Sequence, residues 1–80
     1  NISVYPNPSS GIFNVKLNSF INSEIEISVY DILGREISQN SFNTISNFNE
    51  EIDISNASPG IYLMSISSKR GKVTRRIIVN

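Results

Sequence analysis

Cysteine and histidine are both missing from these 80 residues. Without cysteine there is no disulfide framework and no thiolate chemistry. The gap matters because a chain this short buries one modest core, and small extracellular domains often add disulfides to hold theirs. It leaves the compartment open. Without histidine the commonest general base and the commonest metal ligand disappear together. Long hydrophobic runs are absent too: nothing approaches the roughly 20 apolar residues of a membrane helix, so no transmembrane segment is expected. No charged, apolar, small-residue series marks a signal peptide at the start. The first residue is Asn1 rather than Met, so the sequence reads as one domain, residues 1–80, cut from a longer protein.

These absences remove most enzyme chemistries. Serines are plentiful, but no histidine or other plausible base accompanies them. Glu50, Glu51 and Asp53 are close in sequence, yet adjacent strand residues face opposite ways. No glycine-rich phosphate loop occurs. Asp31 stands beside apolar Ile32 and Leu33, and a lone carboxylate is no coordination set. No catalytic residue, no metal site and no cofactor is therefore expected. Acidic residues also run out early. All of them lie at or before Asp53, whereas five of the 7 basic residues are Lys69, Arg70, Lys72, Arg75 and Arg76. A basic pole on a chain of zero net charge speaks about partners rather than fold. Nucleic acid is not the expected partner, because stacking aromatics do not accompany the cluster. The pole reads either as a solvated edge that discourages aggregation or as a docking pole for an acidic receptor or anionic headgroups.

What is present is alternation. Phe13, Val15 and Leu17 alternate with Asn14 and Lys16, and Ile25, Ile27 and Val29 alternate with Glu24, Glu26 and Ser28. Tyr62, Met64 and Ile66 repeat the pattern. A period of two is the strand signal, and one packed face with one wet face fits an antiparallel sheet. Seven strands are expected at about 2–5, 12–17, 24–30, 35–42, 48–54, 61–67 and 73–79. Short strands at this spacing predict an all-β fold: a single seven-stranded antiparallel β-sandwich with Greek-key, Ig-like connections. Residues 40–47 are polar, and Phe42 and Ile45 leave their phase open; a longer loop is expected there.

Three phrases join turn chemistry to these strands. In Tyr5-Pro6-Asn7-Pro8-Ser9-Ser10-Gly11 each proline fixes its own φ and extends the residue before it, so the segment crosses an edge and turns at Gly11. In Tyr30-Asp31-Ile32-Leu33-Gly34-Arg35 the aspartate bonds nearby N–H groups and Gly34 tolerates positive φ, giving a hairpin. Ile32 and Leu33 then either fold back over the core end or form a small exposed patch. In Ser58-Pro59-Gly60-Ile61-Tyr62 the Pro59-Gly60 pair suits the centre of a type II turn. Tyr62 should point inward with its hydroxyl at the rim, leaving Ile61 and Leu63 facing outward, where either a neighbouring loop covers them or they belong to a contact surface. Gly71 marks a last hairpin turn, and the closing strand returns along 61–67. Strict alternation from Ile77 and Val79 would bury Arg75, which is costly, so a bulge, an edge position or fraying is expected near it.

The three phrases, their order and the ending Arg76-Ile77-Ile78-Val79-Asn80 resemble the type A C-terminal sorting domain of the type IX secretion system, over the whole chain. Final strands of that family often carry a lysine before the apolar end; Arg76 takes its place here, keeping charge and changing geometry. The resemblance implies a noncatalytic tag on an upstream cargo domain. It implies export to the periplasm, then handling by outer-membrane components of the machinery, a shuttle or receptor and a sortase. The cargo ends at the cell surface or outside it, often after removal of the tag at a point before Asn1. The residues expected to carry recognition are Tyr5, Pro6, Asn7, Pro8, Gly11, Asp31, Gly34, Pro59, Gly60, Tyr62, Lys72, Arg75, Arg76, Ile77, Ile78 and Val79. A final strand with a free edge would accept a partner strand, with Ile77, Ile78 and Val79 as anchors and Arg75 and Arg76 as steering charges.

A different class of function is an accessory Ig-like module that binds glycan or acts as a spacer. Glycan binding calls for exposed aromatics or a metal-binding carboxylate loop. With Phe13 and Tyr62 inward, Tyr5, Tyr30 and Phe42 are the remaining aromatic candidates.

Overall fold

The computed structural model describes residues 2–17, 23–44 and 47–80. Among them are seven strands and no helix: β1 (Ile2–Tyr5), β2 (Ile12–Leu17), β3 (Ser23–Tyr30), β4 (Glu36–Thr44), β5 (Phe48–Asp53), β6 (Gly60–Ser68) and β7 (Gly71–Val79). They form two antiparallel sheets, one ordered β1-β2-β5 and the other β4-β3-β6-β7. Alternation decides which face of each sheet is dry. Phe13 and Val15 of β2 and Ile52 of β5 meet Ile25, Ile27 and Val29 of β3, Met64 of β6 and Ile77 of β7, all at most 1% exposed. Val79, Tyr62, Ile66 and Phe48 extend this core.

The expected loop at 40–47 is shorter than the sequence suggested. β4 continues to Thr44, while residues 45 and 46 lie outside the described residues. The pairing of Ile25 with Phe42 sets the phase. Phe42 turns inward and meets Phe48 edge-on, ring centroids 5.1 Å apart, so two aromatic rings close this end of the sandwich. β4 also carries a register shift opposite Val29 and Tyr30, with Val29 facing Ser38 and Tyr30 facing Glu36.

The turns follow their side chains. At the β3–β4 turn, Asp31 Oδ1 accepts the N–H groups of Leu33 and Arg35, both at 2.9 Å, and Oδ2 accepts from Arg35 Nε at 2.7 Å. Gly34 has φ +87° and donates to the Asp31 carbonyl at 3.0 Å. With the aspartate fastening the turn, Ile32 and Leu33 are thrown outward, 74% and 75% exposed. They form the exposed patch and do not fold back over the core. The turn before β6 differs from expectation. Its closing bond runs from Ala57 N–H to the Ile54 carbonyl at 2.9 Å, and Asp53 Oδ1 caps it by accepting from Ser55 N–H. Pro59 is exposed, and Gly60 already opens β6 opposite Val79. The Asp53 cap draws the tight turn upstream of Pro59-Gly60.

Arg75 behaves as an edge residue. β7 is the last strand of its sheet, and its register with β6 is unbroken from Gly60↔Val79 to Ser68↔Gly71. Arg75 pairs with Met64 and shares its face, yet is exposed. Of the three outcomes open to it, the edge position is the one adopted.

Candidate functional site

The two ends of the sequence meet at one sheet edge. β7 gives one side to β6. Ile78 directs its backbone away from β6, and so by alternation do Arg76, Thr74 and Lys72. The Pro-Asn-Pro phrase lies along the end of that outer side. Asn7 Nδ2 donates to the Arg76 carbonyl at 2.9 Å, and Asn7 Oδ1 accepts from Ile78 N–H at 3.0 Å. Ser9 continues the seam with main-chain bonds: its N–H donates to the Ile78 carbonyl at 2.9 Å, and its carbonyl accepts from Asn80 N–H at 2.8 Å. A single parallel bridge, Ser9 to Val79, records the contact. Both X–Pro bonds of the phrase, Tyr5–Pro6 and Asn7–Pro8, are cis.

A side-chain amide matches this task because it carries a donor and an acceptor side by side, as a peptide group does. Asn7 therefore stands in for one residue of a neighbouring strand. The prolines around it have no N–H to leave unpaired. Ser9 is the member of the seam that sequence reading missed. It is only 6% exposed, and its Oγ accepts the N–H groups of Gly11 and Ile12, both at 3.0 Å. A serine two residues before a turn glycine was its one visible signal. Gly11 is buried with φ +122° and accepts Ile54 N–H at 2.7 Å, tying the seam to the three-stranded sheet.

The seam narrows the free edge. The outer side of β7 is taken from the Arg76 carbonyl to its end, and the open stretch runs from Lys72 up to that carbonyl. Ile77 and Val79 are 0% and 4% exposed, in the core. The anchor role expected of all three apolar residues is thus open only to Ile78, which is half-buried and faces out. Lys72, Arg75 and Arg76 are exposed, as are Tyr5, Pro6, Asn7 and Pro8. These residues gather along and beside the β7 edge. Asp31, Gly34 and Pro59 belong to the turns at one end of the sandwich, where Gly60 opens β6. Tyr62 is 8% exposed, with its hydroxyl donating to the Ser58 carbonyl, and serves the core.

That turn end holds a shallow cleft lined by Asp31, Arg35, Ile37, Asp53, Ile54 and Tyr62. Its carboxylates are already engaged. The Arg35 backbone N–H, its guanidinium and the Leu33 N–H hold the Asp31 carboxyl below the usual aspartate range. The Ser55 hydroxyl and N–H do the same for Asp53. No group of three or more acidic side chains that could hold a metal occurs among the described residues. Arg35–Asp31, at 2.7 Å, is the one ion pair among the described residues, so the basic residues of β7 keep their charge for solvent or a partner.

The seam makes a direct prediction. Asn7→Ala removes two hydrogen bonds and should cost about 1–2 kcal/mol. Asn7→Asp keeps the acceptor for Ile78 N–H, sets a carboxylate against the Arg76 carbonyl, and should fall no less far. Urea midpoints would show this; unchanged midpoints in both variants would mean that the seam carries no stability.

Comparison with known proteins shows the family. Residues 3–80 match the secretion system C-terminal sorting domain family, nearly the full chain. The chain is also 29% identical over 82 residues to an endo-acting ulvan lyase of Formosa agariphila, covering 98% of this chain and 14% of that protein. The similarity is thus confined to a small part of the lyase. With a match from the first strand to the last residue, the chain belongs to the secretion system C-terminal sorting domain family.

Proposed function

We propose that this domain is a noncatalytic export signal that the type IX machinery reads as a folded object. The family match carries the reading, since it spans both ends of the seam. An upstream cargo would reach the periplasm, be recognised at the outer membrane by a shuttle or receptor, and pass to the surface or beyond, with a sortase removing the signal in some cases. The chain crosses between sheets after β2, after β4 and after β5, which we read as the Ig-like Greek-key arrangement.

Recognition would fall on the β7 side. Thr74 directs its N–H and carbonyl outward on the open stretch, and Lys72, Arg75 and Arg76 surround it with exposed positive charge. A strand added there would gain backbone bonds, and the charges would speed its approach. The Pro-Asn-Pro surface and Ile78 would border the same contact.

The test is a fluorescent cargo fused to this chain in a host with the type IX machinery. The intact fusion should leave the cell. Thr74→Pro deletes the central outward donor of the open stretch while sparing the ladder to β6, and should hold most of the cargo in the periplasm with the domain still folded. Equal export of the intact fusion and of cargo without the chain would defeat the signal reading. Full export of a folded Thr74→Pro variant would defeat the strand-addition part alone.

A further inference from the structure

The outer face of the four-stranded sheet has an arrangement of which the export reading uses only the β7 margin. Pairing sets its residues in rows across β4, β3, β6 and β7. One row is Glu36, Tyr30, Leu63 and Arg76. The next is Gln39, Ser28, Ser65 and Thr74, and the third is Ser41, Glu26, Ser67 and Lys72. Beyond the first row lie Ile61 and Ile78, paired with each other. Leu63 and Ile61 are 41% and 45% exposed, Tyr30 and Ile78 are half-buried, and the turn after Tyr30 adds exposed Ile32 and Leu33. An apolar strip of this kind on so small a domain marks a contact surface.

The charges say what fits it. Acidic residues of this face, Glu24, Glu26 and Glu36, stand on β3 and β4, and basic Lys72 and Arg76 stand on β7, the opposite edge. Strand order has turned the lopsided charge of the sequence into a face with one acidic and one basic side. Such a face complements its own copy. A two-fold axis parallel to the strands lays β4 of one copy over β7 of the other, and β3 over β6. The first row then reads backwards onto itself: Glu36 meets Arg76, and Tyr30 meets Leu63, twice each. The apolar strip covers the apolar strip because the axis keeps the two ends aligned. The centre of the second row, Ser28 and Ser65, is small and permits the close approach of about 10 Å that stacked sheets need. Net charge is zero, so no overall repulsion opposes it.

We propose that this face is a self-association surface whose occupant is a second copy of this chain, docked about that axis. Four strands about 4.8 Å apart and roughly 20 Å long present about 400 Å² in projection, near the small end of specific interfaces. The dimer is therefore weak and concentration-dependent. The outward backbone groups of β7 stay outside the contact, whereas the Arg76 and Ile78 side chains lie within it, so a dimer leaves the strand edge open but takes up part of its border.

Sedimentation velocity of the 80-residue chain over a range of concentrations tests it, with thermal melting as the check on folding. The chain should pass reversibly from monomer to dimer. Arg76→Glu and Glu36→Arg should each weaken the dimer by roughly tenfold or more, because each reversal spoils two symmetric pairs. The double variant restores both pairs and should regain most of the affinity. Arg76 lends only its carbonyl to the seam, so its side chain can be reversed without opening it. Leu63→Glu should leave a folded monomer. A monomer at every concentration overturns the proposal, as does a dimer indifferent to the single reversals. Monomers whose Leu63→Glu variant fails in export would assign the face to the export machinery and equally overturn it.

Discussion

Deleting Arg76–Asn80 should unfold the domain, not merely strip a signal from it. The deletion removes Ile77 and Val79 from the core, where they are 0% and 4% exposed. It removes the partners of Gly60, Ile61, Tyr62 and Leu63 on β6. It also strands Asn7 and Ser9, whose bonds go to Arg76, Ile78 and Asn80. Loss of one buried isoleucine side chain costs about 2–5 kcal/mol. A chain of this length has a total stability of about 4–12 kcal/mol. Two core residues and a ladder therefore exceed what the fold can lose. The deleted chain should show no cooperative melt and should be cut rapidly by protease. A folded deletion variant with a sharp transition would mean that β7 is an accessory strand. One practical result concerns export assays. Failure of this deletion would report on folding, so single changes on the open edge are the informative ones.

Gly11→Ala should have the second large effect. A Cβ built there would lie 2.5 Å from Ser55 Cα and 3.0 Å from Ser55 N. Both are backbone atoms, held by the capped turn that Asp53 fastens. The φ of +122° adds strain for any residue with a side chain. The expected loss is about 3 kcal/mol or more. The seam would suffer too, since Gly11 lies two residues from Ser9. Urea unfolding would measure it, and a shift under about 1 kcal/mol would mean that the Ser55 turn yields easily. Alanine at Gly34, where a Cβ meets nothing within 4 Å, isolates the φ contribution.

The sandwich was readable in the sequence because its cause is local. Alternation at Phe13–Leu17, Ile25–Val29 and Tyr62–Ile66 fixes which side of each strand is dry, and all of those inward residues are buried. The Arg75 conflict was also readable as a conflict, and edge position resolves it. Strand ends were less legible: β4 reaches Thr44 because Phe42 finds Phe48, a contact between strands. The Pro59-Gly60 turn was misplaced because Asp53 competes for the same loop through a bond to Ser55. The seam was hidden for a different reason. Asn7 meets partners 69 and 71 positions away, and those partners are main-chain groups with no signature in the sequence. The free edge and the anchors expected at 77–79 were drawn too generously on that account.

The seam also orders events in time. A chain that emerges amino end first delivers Asn7 and Ser9 early, and they must wait for Ile78 and Asn80. Until then β6 lacks its neighbour and the apolar interior gapes. A product broken off before Arg76 would leave Asn7 and Ser9 without those bonds and the shape incomplete. Closure of the sandwich thus waits on β7, the strand that is made after all the others.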